Sequence, residues 1–200
     1  MSELFLYFQT NGLEWFGVIT GLLYLFLEIK QKSSMWIVGF TNCLVFVFVF
    51  QSSGLYADMV LNLYYVLVSV YGFWKWKSEK TTAANDQHAN YKTLNISTGT
   101  ILVVIASMLF GATAYILKSY TNSTVPYQDA LVSSLSMVAT WMLAKKIIQH
   151  WFVWIFVNGF SVYLFICKAL YPTAFLYLFY CVLSLYGFYE WRKVSETPTK

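Results

Sequence analysis

Residues 35–77, MWIVGFTNCLVFVFVFQSSGLYADMVLNLYYVLVSVYGFWKWK, lie without a gap over residues 150–192, HWFVWIFVNGFSVYLFICKALYPTAFLYLFYCVLSLYGFYEWR. The offset is 115 residues, and about a third of the aligned positions are identical. Trp36 meets Trp151, Leu55-Tyr56 meets Leu170-Tyr171, Tyr71-Gly72-Phe73 meets Tyr186-Gly187-Phe188, and Trp76 meets Trp191. The same offset sets Glu14 over Asp129 and Lys30 over Lys145, so the match extends back into the preceding helix of each unit. Aromatic bias alone does not produce an ungapped match of this kind. The chain is an internal duplication.

The duplicated segments are too apolar for water. Of 200 residues, 58% are hydrophobic and 11% charged, against about 25% charged in soluble domains. That excludes an ordinary soluble enzyme, a disordered regulator and a nucleic-acid-binding module. A membrane-spanning helix needs about 20 mostly apolar residues. Seven such runs are expected, near 12–29, 36–52, 55–76, 96–117, 128–147, 151–167 and 170–191. Residues 1–77 then hold one three-helix repeat, 96–117 a linker helix, and 128–193 the second repeat. Residues 78–95, rich in polar and charged groups, read as a surface loop, and 194–200 as a disordered tail. The start, MSELFLYFQT, lacks the basic region and cleavage site of a signal peptide.

An odd linker helix makes the two repeats enter the membrane the same way up. The fold class expected is therefore an all-α integral membrane protein, 3+1+3, with parallel three-helix repeats. In carriers of this class the substrate sits near mid-membrane between the repeats. Of the 13 Lys and Arg, only Lys118 and Lys168 fall on one side, and the rest fall on the other. The positive-inside rule then puts the N-terminus outside and the C-terminus in the cytoplasm.

The second and sixth runs are the shortest and occupy matching places, which points to the binding site. Trp151, Trp154 and Asn158 share one helical face at i, i+3 and i+7. Two indoles and an amide at different depths suit a flat ring with a polar edge, and indole faces favour cations. In the first repeat the corresponding helix carries Trp36, Gly39 and Asn42, with Gly39 opposite Trp154. That difference offers an aromatic wall on one side and room on the other, or else close helix packing at Gly39. Asn62 is a further mid-span amide. Thr140 shares a face with Ser133 and Ser136, and Tyr65 and Tyr180 occupy matching positions. Polar residues in spans usually face the bundle interior, so these complete the candidate substrate site, or else Thr140 and its serine neighbours serve helix packing and some of the tyrosines belong to core or lipid-facing surface.

Other residues point away from chemistry. Glu28 lies four residues before Lys32, the spacing of a local helical ion pair. Asp58 and Asp129 fall in first turns, where the helix dipole favours acid groups. Cys43, Cys167 and Cys181 lie in apolar runs without metal-ligand spacing. No cofactor, metal site or catalytic constellation is expected, and no carboxylate relay for proton coupling.

The stretches LEWFGVITGLLYLFLEIKQ, MWIVGF, GLYADM and YGFWKW, with ATWMLAKK, HWFVWIFVN, LYPTAFLYL and YGFYEW, resemble the PnuC family of bacterial vitamin-precursor transporters. The similarity runs from Leu13 to Lys193, and the WxxW at Trp151 and Trp154 is its most specific piece. The resemblance implies an architecture related to SWEET sugar transporters in the bacterial inner membrane. It implies facilitated diffusion of nicotinamide riboside, with trapping by a cytoplasmic kinase, and a homotrimer with one pathway per protomer. A related branch, PnuT, carries thiamine, also a flat cation. Asn158 and the Gly39/Asn42 region are where the choice between the two is expected to lie. A membrane-embedded enzyme or sensor is the competing class, disfavoured by the paucity of buried acid–base groups expected and by the short C-terminus, where a sensor is expected to carry an output domain.

Overall fold

The computed structural model describes residues 12–52, 54–82, 92–121 and 123–196. They form seven helices: α1 Gly12–Ile29, α2 Met35–Ser52, α3 Tyr56–Thr82, α4 Ile96–Tyr120, α5 Pro126–Ala144, α6 His150–Cys167 and α7 Tyr171–Glu196. Met35–Ser52, Tyr56–Glu79, Ile96–Tyr120 and His150–Cys167 are long and apolar enough to cross a membrane, and Trp15–Ile29 is a shorter apolar segment. Large apolar side chains such as Phe26, Phe48, Leu67, Met108, Phe156 and Phe175 stand exposed on the outer faces. In a bilayer those faces meet lipid, and helices associate mainly by close packing.

The sequence repeat is also a repeat of backbone geometry. The α1–α2 turn places Gln31 in the left-handed region at φ 56°, and the α5–α6 turn places Lys146 there at φ 55°. Gln31 N–H donates to Glu28 O and Lys32 N–H to Leu27 O; 115 residues on, Lys146 N–H donates to Leu143 O and Ile147 N–H to Met142 O. These are helix-ending bonds of the Schellman type, which satisfy the last carbonyls of each helix. The opposite turns correspond too, with Gly54 at φ 71° and Ala169 at φ 56°.

Three expected boundaries shift. Helix α5 ends at Ala144 rather than near 147, because the chain reverses at Lys146. Helix α3 runs on to Thr82 and α7 to Glu196, into segments expected to be loop and tail. Once an amphipathic end has started, helical hydrogen bonds propagate cheaply through polar residues. The remainder of the expected loop at 83–91, and residues 197–200 of the tail, lie outside the described residues. The loop's last part is ordered: Lys92 N–H donates to Lys146 O, Ile148 N–H to Lys92 O, and Leu94 N–H to Gln149 Oε1. Asn95 caps α4 by accepting from Thr98 N–H at 2.7 Å.

Within each unit the helices pack in chain order, α1 on α2 on α3 and α5 on α6 on α7. Between the units α3 packs on α5, and α1 packs on α7. This exchange, third helix of one unit on first helix of the other, is the reciprocal pattern of a two-fold interface. Its residues match as well. Tyr65 hydrogen-bonds Ser136, while the Tyr180 hydroxyl packs on Gly21, and Gly21 and Ser136 are themselves 115 residues apart. The α4 linker lies outside this arrangement, seated on α5 through Leu102, Ala106 and Leu109 against Val138 and Met142.

The core sits at the lysine-rich end. Trp36, Trp76, Trp151 and Trp191 are at most 1% exposed. Trp36 stands edge-on to Trp76 at 5.7 Å, Trp76 meets Trp191 at 6.0 Å, and Trp191 stands edge-on to Trp151 at 5.8 Å. Offset and edge-to-face pairs add about 0.5–1.5 kcal/mol each beyond burial. Each leading indole lies on a glycine of the third helix of its unit, Trp36 on Gly72 and Trp151 on Gly187. A Cβ at either glycine would lie 2.4 Å from the indole carbons, whereas Gly111 on α4 has nothing within 4 Å.

Gly72→Ala and Gly187→Ala are each expected to destabilise the protein by about 1–3 kcal/mol through overpacking. Gly111→Ala should be neutral or slightly stabilising. Midpoints of thermal unfolding in detergent test this; equal midpoints for all three would show that the indoles are not seated on these glycines.

Candidate substrate site

Helix α6 brings together the most specific of the candidate residues. His150, Trp154 and Asn158 follow one another at i, i+4 and i+8, so they line one face that turns inward between the units. Asn158 is buried, and its amide donates to Ser184 Oγ on α7 at 3.3 Å. Ser184 in turn donates to Tyr180 O at 2.8 Å. Trp154 is half-buried, and its indole N–H is enclosed with no acceptor within reach. A buried donor without a partner costs about 1–3 kcal/mol, which a bound acceptor would remove.

Trp151 and Trp36 take a different place. Both are packed into the tryptophan core. Trp151 also lies 4.6 Å from the His150 ring. Their effect on Trp154 and Asn158 is through the helix they anchor. Gly39 fits close packing: the Tyr24 ring occupies its side, 2.8 Å from where a Cβ would stand, with Ser69 Oγ at 3.4 Å. Tyr24, absent from the sequence candidates, thus fills the space beside Gly39. Its signal in the sequence was weak, a tyrosine among apolar neighbours one turn from Gly21 and Glu28.

The remaining candidates divide. Asn42 donates to Thr20 Oγ1 at 2.5 Å, joining α2 to α1, and Thr20 donates to Phe16 O. Tyr65 and Tyr180 stand half-buried at the seam between the units, with Tyr177 5.8 Å from Tyr180. Asn62 turns back on its own helix, donating to Asp58 O at 2.9 Å. Thr140 is buried and donates to Ser136 O at 2.8 Å. Tyr65 and Tyr180 thus stand at the seam, Asn158 is linked through Ser184 to Tyr180, Trp154 lies on the same face of α6 as Asn158, and Asn62 and Thr140 are satisfied locally.

One expectation is corrected. Glu28 does not pair with Lys32. Helix α1 ends at Ile29 and the chain turns left-handed at Gln31, so the helical i, i+4 geometry does not reach Lys32. The carboxylate instead meets His150 Nε2 at 3.1 Å, across the interface between the units. Asp129 accepts from Ser123 Oγ at 2.6 Å at the start of α5. Among the described residues no group of His, Cys, Asp and Glu could hold a metal ion.

An apolar helical bundle with an aromatic and amide-lined seam between two like units is the architecture of a multi-pass membrane transporter. Comparison with known proteins bears that class out. The family model described as nicotinamide mononucleotide transporter matches residues 11–193, and the chain belongs to that family. It is 23% identical over 208 residues to the nicotinamide riboside transporter PnuC of Escherichia coli, covering 92% of this chain and 86% of that one. It is 25% identical over 188 residues to the PnuC of Neisseria mucosa, covering 90% and 72%. It is also 25% identical over 202 residues to the riboflavin/roseoflavin transporter RibM of Streptomyces davaonensis, covering 100% and 94%. Among solved structures, that of the vitamin B3 transporter PnuC superposes with a TM-score of 0.72 at 22% identity, covering 96% of this chain and 86% of that one. The protein is a transporter and not an enzyme.

The Tyr64 hydroxyl donates to Met137 O at 2.8 Å, one of the polar ties between α3 and α5. Tyr64→Phe is expected to cost about 1 kcal/mol, since the hydroxyl's bond to the carbonyl is lost while the packing is kept. A fall of a few degrees in the unfolding midpoint checks it; no change would show the bond contributes nothing.

Proposed function

We propose that this protein takes up nicotinamide riboside by facilitated diffusion. The observation that carries the proposal is the α6 face, where the partnerless Trp154 N–H and the Asn158 amide follow each other at successive turns. Nicotinamide riboside is a flat pyridinium cation with a carboxamide and a ribose. An indole face attracts the cation, and the indole N–H and the amide suit its oxygen acceptors. The nicotinamide riboside transporters among the relatives support this choice of substrate. Tyr65 and Tyr180 complete the wall on the other helices, with Trp36, Trp151, Gly39 and Asn42 shaping it from behind.

In this reading the units α1–α3 and α5–α7 rock about the seam, exposing it to one side at a time. No carboxylate relay accompanies the substrate, so its own gradient drives uptake, sustained when a cytoplasmic kinase phosphorylates the product. The lysine-rich end faces the cytoplasm, and the chain works as a homotrimer in the bacterial inner membrane. The full-length match to RibM favours a second reading, a carrier of riboflavin, whose flat ring and hydroxylated chain suit the same groups. Thiamine is the third vitamin to test.

Calorimetric titration of the purified protein with nicotinamide riboside, riboflavin and thiamine is expected to show binding of the riboside. Binding only of another vitamin would keep the class and change the substrate. Trp154→Ala should weaken riboside binding by about 1–3 kcal/mol; unchanged affinity in a folded variant would move the site off α6. Uptake into liposomes should persist when sodium and proton gradients are abolished, and its loss would overturn uniport.

A further inference from the structure

We infer that Glu28 and His150 form a proton-holding joint that must part for the seam to open toward the lysine-rich end. The inference rests on the proposed transport function for its role, and on hydrogen-bond geometry for the proton. His150 is 0% exposed and Glu28 2% exposed. His150 Nδ1 lies 2.7 Å from Ile147 O. A carbonyl only accepts, so Nδ1 carries a hydrogen. Nε2 lies 3.1 Å from Glu28 Oε1. A bare imidazole nitrogen and a carboxylate oxygen are both acceptors, so a second proton lies between them. It resides on Nε2 as an imidazolium or on Oε1 as a carboxylic acid. Both arrangements bind the same number of protons and leave the pair neutral overall, as burial requires.

Among the described residues the surroundings supply no other neutralising charge. Tyr24 faces Glu28 from α1. From the α5–α6 turn, Lys146 lies over the Trp76 ring and is tied to Glu79 of α3 at 2.7 Å. From α7 the Trp191 indole lies 4.9 Å from the His150 ring, and its N–H donates to Glu28 O at 3.1 Å. Glu28 belongs to one unit, His150 and Trp191 to the other, so the joint crosses the interface. It also lies on the face of α6 that carries Trp154 and Asn158, about 12 Å along the helix from Asn158. A substrate leaving that face toward the lysine-rich end passes the joint.

The mirror position shows that the charge is a choice. At the 115-residue offset, Glu28 corresponds to Leu143 and His150 to Met35. Both are fully buried in the same core. One half of the interface is thus closed by apolar side chains, and the other by a pair that holds a proton.

The sign of the pH effect follows. Once parted and hydrated, a glutamate titrates near pH 4.3 and a histidine near pH 6.5. At about pH 8 parting therefore releases close to one proton, and below about pH 6 almost none. The joined state is favoured as pH falls from about 8 to about 6.5, by at most tenfold per unit. The proton leaves to and returns from the same side, so it adds no net coupling to uptake.

The test is riboside uptake into liposomes at equal pH on both sides. The wild type is expected to slow by about threefold to thirtyfold between about pH 8 and about pH 6. The double variant Glu28→Leu with His150→Met copies the mirror pair, and its uptake should not change with pH. A flat wild-type profile, or a wild-type pH dependence kept in the double variant, would overturn the joint. An activity-independent measurement covers a variant that does not fold. With His88→Gln, His150 is the only histidine, and nitrogen-15 NMR should show one protonation state with Nδ1 bound to hydrogen from about pH 5.5 to about pH 7.5. A ring titrating near pH 6.5, as in water, would sink the proposal. Failure of all riboside uptake with the NMR result as expected would overturn the transport reading and leave the joint standing.

Discussion

Two glycines set the distance at which this bundle closes. Gly72 and Gly187 let the third helix of each unit approach until an indole from the second helix lies flat against its backbone. From those seats Trp36 and Trp151 reach Trp76 and Trp191, which meet each other across the interface. The result is a chain of four indoles from one unit to the other. In lipid, where the hydrophobic effect does little between helices, shape is the main source of association. Trp36, Trp76 and Trp151 leave their N–H groups without an acceptor, a cost the edge-to-face geometry offsets in part.

The proposed substrate site falls where the repeat is broken. The turns, the indole seats and the exchange of α3 on α5 for α1 on α7 repeat closely. Gly39 against Trp154, Cys43 against Asn158, and Leu143 against Glu28 do not. A duplicated scaffold supplies two equivalent walls. A single asymmetric molecule held between them needs different groups on each. Helix α6 carries Trp154 and Asn158, while at the matching place on α2 Tyr24 fills the space beside Gly39. The same asymmetry places one buried acid and one buried base on opposite sides of the interface.

Much of this is legible in the amino-acid sequence. The ungapped match of 35–77 on 150–192 carries the duplication, because equal spacing of Trp, YGF and turn positions requires equal helix lengths and turns. The odd apolar run between the repeats, and the one-sided lysines, follow from the physics of the bilayer. Trp154 and Asn158 stood out because helical spacing puts them on one face. The partners of Glu28, Gly39 and Thr140 were not legible. A carboxylate four residues before a lysine reads as a local pair until the left-handed turn at Gln31 is seen.

Sequence alone determined the helices, their duplication and their membrane setting, since all three depend on local periodicity and composition. Tertiary structure decided which polar groups are satisfied by packing and which are enclosed without a partner. Thr20, Asn42, Asn62 and Thr140 are satisfied by near neighbours, while Trp154, like the core indoles Trp36, Trp76 and Trp151, keeps an enclosed donor. It also decided that Glu28 and His150 meet, 122 residues apart along the chain. Burial and hydrogen-bond partners at that separation are properties of how helices pack, and no local pattern encodes them.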